Sequence, residues 1–417
     1  MNERLQLKNF GPIKQLDISI KPLTVLIGES GSGKSAVLKL LSLLRWVHKR
    51  NHLRSYFIKN GLANKNDFNP VSLAELLAMS GLEEFVKQTT EIVFTIGKAT
   101  YTATAKQLIS PEVEEDFSLN KVLFLSDNRV ILPDILGYYF NLNAKFPYHL
   151  EDTFLNFNHA MKSFRNGFAI ESTGVRLTRE KTALGDNYFI SNTEGDNEPP
   201  FHIKFENASS GIKAVSFVEL ITHFYTHAHL FNFNEVLENQ YKRLGIGGTD
   251  IKPWKGKKNL SIFIEEPELS LFPEAQRRLL HRLIKDCFSS KENDAVKESD
   301  AVKENDAVKE NDAAKENDAA QVHLAFATHS PYILASLNNL LLAGETAKKS
   351  EKKALVEKII PQQYWLTIEQ VGAYAIEKGY VKDIIEEDQL INGEYLDHLS
   401  DEISREFSAI LDIEYGN

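Results

Sequence analysis

The chain has 417 residues, 42% apolar and 25% charged, which allows two or three compact units with sizeable cores and excludes a disordered or collagen-like chain. Lys and Arg number 48 against 58 Asp and Glu, so the formal net charge of −10 gives no global attraction to nucleic acid, although a local basic patch stays open. The single cysteine, Cys287, admits no internal disulfide, and no secretory h-region or membrane-length apolar run is seen, so a cytoplasmic protein without membrane contact is expected.

In chain order, residues 3–9 and 15–20 are expected to pair as strands around the turn Gly11-Pro12. Leu23–Ile27 reads as a short buried strand running into a glycine-rich loop, and leucines and valine on a helical period predict a helix over Ser35–Val47. From about 50 to 205 the pattern is mixed. Helices are expected near 72–89 and 149–165, and strands at 91–95, 100–104, 121–125, 168–178 and 201–205. A helix over 210–229 precedes a mostly apolar strand at Leu260–Ile264, a helix over about 274–288 and a third apolar strand at Val322–Ala327. Residues 355–417 read as a small mixed tail ending in helix. Between the last helix and strand, residues 291–320 are five hexads, KENDAV, KESDAV, KENDAV, KENDAA and KENDAA. Each carries one Lys, one Glu and one Asp, hence −1, and the five together hold half of the net charge. Their period is too short and their apolar residues too small to build a core, which predicts a solvated insert. Apolar strands separated by helices predict an α/β protein with a parallel-rich sheet.

Three motifs follow the three apolar strands. Gly28-Glu29-Ser30-Gly31-Ser32-Gly33-Lys34-Ser35 matches GxxxxGK[ST] in full. Its glycines let successive N–H groups point inward at phosphate oxygens, and the following helix adds its N-terminal dipole. Lys34 would reach the β- and γ-phosphates of ATP, and the Ser35 hydroxyl would ligate Mg²⁺. After Leu260–Ile264 come Glu265 and Glu266, at the strand end where ligands bind in open α/β sheets. Glu265 is assigned to the metal and Glu266 to the general base that activates water. Ala327-Thr328-His329-Ser330-Pro331 follows the third strand, and His329 fits a γ-phosphate sensor. A fourth element, Asn207 to Lys213 with Ser209-Ser210-Gly211, is a small-residue turn opening a helix. Taken alone it reads as an ordinary N-cap, although the same exposed N–H groups suit an anion.

Weaker signals have bland readings. His223, His227 and His229 include an i,i+4 pair, but no partner cysteine or obvious acid completes a metal site. Arg45, His48, Lys49, Arg50, His52 and Arg54 form one basic run, and Lys252, Lys255, Lys257 and Lys258 around Trp254 another. Both read as solvated faces, with contact to phosphate backbones as the alternative.

Together the four elements resemble the ABC-type ATPases of the SMC/RecF/OLD-like branch. The marks are Leu7-Lys8-Asn9-Phe10-Gly11-Pro12-Ile13, the run from Glu265 through Glu268 to Pro273, and Ala327–Pro331. The resemblance implies a P-loop NTPase head of ABC type, split into an N-terminal part with the P-loop (1–50) and a part with the signature, acidic strand and histidine (206–345). A mixed insertion (51–205) would separate them, and a mixed tail (346–417) would follow. It further implies that two heads sandwich ATP, with Ser209-Ser210-Gly211 of one capping the γ-phosphate held by the other, and Ser270 in the loop that crosses the interface. The Ser-Ser-Gly-Ile-Lys form argues against a transporter. Leu123–Arg129 is similar to a strand-plus-arginine element of stand-alone members, which leaves Arg129 as a nucleotide contact or a surface residue. Such members imply, in turn, an oligomeric ATPase that controls an effector, a nuclease or toxin, in anti-phage defence of the Septu or PARIS kind. The alternative is a DNA-repair clamp of RecF or SMC type, with DNA as a partner that the net charge does not indicate.

Overall fold

The computed structural model describes residues 3–64, 72–105, 107–111, 117–136, 146–182, 185–193, 201–227, 230–243, 254–289, 320–392, 405–408 and 410. The hexads up to Ala319, His229 and Lys252 lie outside the described residues.

Two amphipathic strands begin the chain, β1 (Glu3–Phe10) and β2 (Ile13–Ser19), joined antiparallel through Gly11. β3 (Leu23–Ile27) is buried along its whole length and leads into α1 (Lys34–Lys59), which runs on past the expected end at Val47. The helix expected over 72–89 is much shorter. A capping box between Ser72 and Glu75 starts α2 (Leu73–Ala78), the chain turns at Gly81 (φ 63°), and Val86 opens a strand. That strand, β4 (Val86–Ile96), is rich in Thr, Val and Ile, and its β-propensity outweighs the helical spacing of the leucines before it. β5 (Ala99–Thr104), β6 (Leu108–Ile109) and β7 (Leu119–Leu125) follow, then α3 (Leu132–Ile135) and α4 (Tyr148–Met161). β8 (Phe168–Ile170), β9 (Val175–Thr182), β10 (Gly185–Asn192) and β11 (His202–Lys204) make a separate antiparallel sheet in the order β11-β10-β9-β8. α5 (Ser210–Thr226), α6 (Asn234–Arg243), β12 (Lys258–Glu265), α7 (Pro273–Phe288), β13 (Gln321–Thr328), α8 (Pro331–Ala347) and α9 (Ser350–Glu357) complete the middle of the chain. β14 (Val371–Glu377) and β15 (Tyr380–Asp383) come last.

The main sheet has eleven strands in the order β6-β5-β4-β1-β2-β15-β14-β3-β13-β12-β7. Its block from β14 to β7 is parallel throughout, as the sequence predicts, while the β1–β2–β4–β5–β6 side is antiparallel. The fold is thus α/β with the P-loop head arrangement. Residues 51–205 divide between the two sheets, and β14, from the expected tail, lies beside β3 in the parallel block.

Alternation along these strands decides which side chains meet which helices. On β12, Leu260, Ile262 and Ile264 join a core with α5, α7 and α8, whereas Phe263 joins the core under α1. Glu265 shares the parity of Phe263 and therefore faces α1.

Candidate active site

Between β3 and α1 the chain turns through Gly28 (φ 147°), Gly31 (φ 79°) and Gly33 (φ 107°). A Cβ on Gly28 would come within 2.5 Å of the Ile376 carbonyl oxygen, so glycine is demanded there by both backbone and space. Lys34, the first residue of α1, is buried, and its Nζ donates to the carbonyls of Gly28 (2.7 Å) and Glu29 (2.9 Å). The ammonium thus closes the loop from which it springs. Burial lowers its pKa, against the opposing pull of Glu266 and Glu268. Ser32 Oγ is buried and accepts no hydrogen bond among the described residues, while Glu29, Ser30, Gly31 and Ser35 are exposed at the mouth.

β12 and β13 pair in parallel with Glu265 opposite Ala327, which brings the acidic strand end level with Thr328 and His329. Glu265 is 1% exposed. Its Oε2 accepts from Ser126 Oγ (3.0 Å) and the Asp127 amide (3.3 Å), and its Oε1 lies 3.4 Å from Lys39 Nζ on α1. Burial holds this carboxyl above the usual carboxylate range. Glu266 leaves the strand in a left-handed conformation (φ 42°), its amide bonded to the Ala327 carbonyl (2.9 Å). That turn swings its side chain off the sheet, half-exposed, with Oε1 3.3 Å from His329 Nε2.

Two residues of this constellation escape a reading of the sequence. Glu268 accepts at Oε1 from Thr328 Oγ1 (2.7 Å) and the His329 amide (2.8 Å), fixing the histidine's backbone. Arg129 is neither a surface residue nor aimed at the loop mouth. It is fully buried and donates to the carbonyls of Ser126 (2.9 Å), Glu265 (2.7 Å), Glu266 (2.7 Å) and Ala214 (3.0 Å). Burial pulls its pKa down to about 10. One guanidinium therefore ties the acidic strand end, the turn after β7 and helix α5 together. The signals available were the short spacing Glu266-Pro267-Glu268 and the strand ending at Leu125.

Ser209 caps α5, its Oγ accepting from the Ile212 amide (3.4 Å), and Ser209 and Ser210 are exposed. Gly211 is buried against the loop after β12: a Cβ there would stand 2.5 Å from the Ser270 carbonyl oxygen. Ser270 is itself left-handed (φ 59°), and Phe272 beyond it is 79% exposed. For a hard divalent cation the donor set fits: Glu268 Oε2 is a buried carboxylate oxygen that accepts no hydrogen bond among the described residues, and Glu265 Oε1 is a buried one paired with the Lys39 ammonium, a charge partner that a divalent cation would replace.

Other sequence signals resolve differently. An acid does complete a group with His223 and His227, namely Asp286 on α7. The position a cation would take is filled by Arg282, whose Nε lies 3.0 Å from Asp286 and whose Nη2 lies 2.6 Å from His223 Nδ1. The first basic run is only partly a solvated face: Arg45, His48 and His52 are buried, and Arg45 pairs with Glu3 and donates to Ser261 Oγ.

Residues 1–208 match the family model described as an AAA ATPase domain. The matched stretch holds the P-loop and Arg129 and stops just before Ser209, so the acidic strand and His329 lie outside it. No curated protein matches the chain. Similar solved structures include the SMC head domain from Thermotoga maritima (TM-score 0.39, 11% identity, 92% of this chain and 98% of that one). The Smc head domain with an extended coiled coil bound to the C-terminal domain of ScpA, from Pyrococcus furiosus, gives a TM-score of 0.37 at 11% identity over 95% and 98% of the two chains. The recombination mediator protein RecF gives 0.32 at 9% over 92% and 98%. These likenesses are distant and carry no functional weight. Among the described residues no helix is long and apolar enough to cross a membrane.

Proposed function

We propose that the chain is an Mg²⁺-dependent ATPase of ABC type whose heads pair around ATP and that, in the cytoplasm, it controls a partner effector, a nuclease or toxin, in anti-phage defence. The observation that carries the ATPase reading is the convergence on one loop of Lys34, Glu266, Glu268 and His329. Lys34 feels the charge of both glutamates, and Glu266 Oε1 lies 3.3 Å from His329 Nε2. In this reading Lys34 exchanges the carbonyls of Gly28 and Glu29 for phosphate oxygens, and the N–H groups of residues 28–35 cradle the phosphates. Ser35 and Glu265 would hold Mg²⁺, which when bound neutralises charge on the phosphate oxygens. Glu266 takes a proton from the water that attacks the γ-phosphorus in line, the bond to the β-bridging oxygen breaks, and ADP and phosphate leave. His329, held by Glu268, orients Glu266 and contacts the γ-phosphate. Ser209, Ser210 and Gly211 cap the γ-phosphate of the opposite head, and the exposed Phe272 is covered when the heads close.

The test is nucleotide binding, turnover and mass on three proteins. Lys34→Ala is expected to abolish ATP binding. Glu266→Gln should bind ATP, sediment as a dimer with it, and turn over about 100-fold more slowly or worse. Normal turnover in Glu266→Gln would remove Glu266 from the mechanism. A pull-down of that variant with ATP from the native host tests the role: a co-purifying nuclease or toxin supports effector control, and nucleic acid alone, lost at raised salt, favours the DNA clamp.

A further inference from the structure

We propose that a second ligand site lies at the far end of α1, and that it takes a nucleoside monophosphate: the phosphate against Lys49, Arg50 and Lys121, the ring against Trp46 and Tyr148. These residues line a cavity of about 380 Å³ over the edge of β7, the last strand of the main sheet, where α1 on one face meets α4 and α6 on the other. That volume is within the range of small-molecule sites. Its lining carries three cationic side chains against one carboxylate, Asp152, in a chain of net charge −10. A local excess of cations on an acidic protein focuses an attractive potential for anions.

The cations are placed by the fold. Arg50 lies over one face of the Trp46 ring at 5.6 Å, which holds a guanidinium and an aromatic together at the cavity wall. Lys121 lies 4.7 Å over the Tyr225 ring with its Nζ donating to Asn156 Oδ1 (2.9 Å), and an ammonium has further donors for an anion. Burial lowers the Lys121 pKa against the opposing pull of Asp152 and Glu235, and raises that of Asp152 against Lys121 and Lys49. Asn239 and Gln240 of α6 add amides able to read a base edge.

This cavity is separate from the P-loop. Trp46, Lys49 and Arg50 follow Lys34 along one unbroken helix, which puts them about 18–24 Å from it at 1.5 Å per residue. The inference therefore stands or falls independently of the ATPase reading, and the test uses the full chain carrying Lys34→Ala. Equilibrium dialysis with AMP, GMP, CMP, UMP and inorganic pyrophosphate is expected to find one nucleotide bound per chain. Adding Arg50→Gln, or separately Lys49→Gln, to this background should weaken that binding about tenfold or more, as loss of a charged hydrogen bond does. Both positions are half-exposed, and circular dichroism checks that both variants stay folded. The proposal is overturned if no nucleotide binds at millimolar concentration, if both charge variants bind as the parent does, or if pyrophosphate binds as tightly as the nucleotides.

Discussion

The guanidinium of Arg129 joins four carbonyls from three segments, those of Ser126, Ala214, Glu265 and Glu266, and none of its surroundings is solvent. Arg129→Met would leave those buried acceptors short of donors, at a cost of roughly 3 kcal/mol or more. In a chain of this size the melting temperature should fall by about 5 °C or more. Arg129→Lys keeps the charge but loses the fork and should recover only part of it. An unchanged melting temperature in Arg129→Met would mean that the clamp is idle. The same residue marks the limit of what the sequence tells. Gly28–Ser35, Glu265, Glu266 and His329 are legible because each motif carries its chemistry within a few consecutive residues. Arg129 is not, since three of its four partners lie 85 to 137 positions away. Glu268 was in plain view, yet its task depends on Thr328, 60 residues on.

Among the elements, β3, β12 and β13 announce themselves by mostly apolar character, which strands buried on both faces require. β14 does not. Val371-Gly-Ala-Tyr-Ala-Ile-Glu377 is diluted by small residues, and its partner strand begins at Leu23, at the other end of the chain. Helix α5 is where element and site meet. Gly211 touches Ser270 so closely that Gly211→Ala must push the capping turn off the loop after β12. Because the P-loop is untouched, ATP affinity should stay within about twofold while turnover falls by about tenfold or more, a separation of binding from chemistry that kinetics reads directly. Near the middle of α5, the buried Glu219 accepts from the amides of Glu171 (2.8 Å) and Ser172 (3.0 Å), pinning the helix to the turn between β8 and β9. Burial pushes its pKa up to about 7 from an ordinary 4.5. An acid whose folded pKa is raised holds its proton more firmly in the native state. Its contribution is therefore lost as pH rises from about 4.5 to about 7, and stays lost above. Glu219→Gln should flatten that decline, so wild type and variant differ in the slope of melting temperature between pH 5 and pH 8. Parallel curves would refute the assignment.

For the whole molecule the informative unit is β12–α7–β13, a parallel crossover whose return connection contains the hexads. α7 has 16 residues and β13 has 8, so the helix spans about 24 Å and the strand about 26 Å. A helix of that length packed back along the sheet ends about level with the start of the next strand. Returns of this kind usually take two to six residues. The fold thus has no geometric need for five hexads. Closing a longer chain costs only about 0.6 kcal/mol per doubling, so their presence is cheap to carry. Deleting four of them should stabilise the protein by roughly 1 kcal/mol and move the net charge from −10 to −6, since each hexad holds −1. ATP binding should not change, because the P-loop, the acidic strand end and His329 all lie at the opposite end of these strands. Melting and nucleotide titration of the shortened chain check both expectations. A markedly lower melting temperature would show that the repeat packs on the head. Intact ATP binding with loss of a captured effector would instead make the acidic repeat the surface that the effector holds.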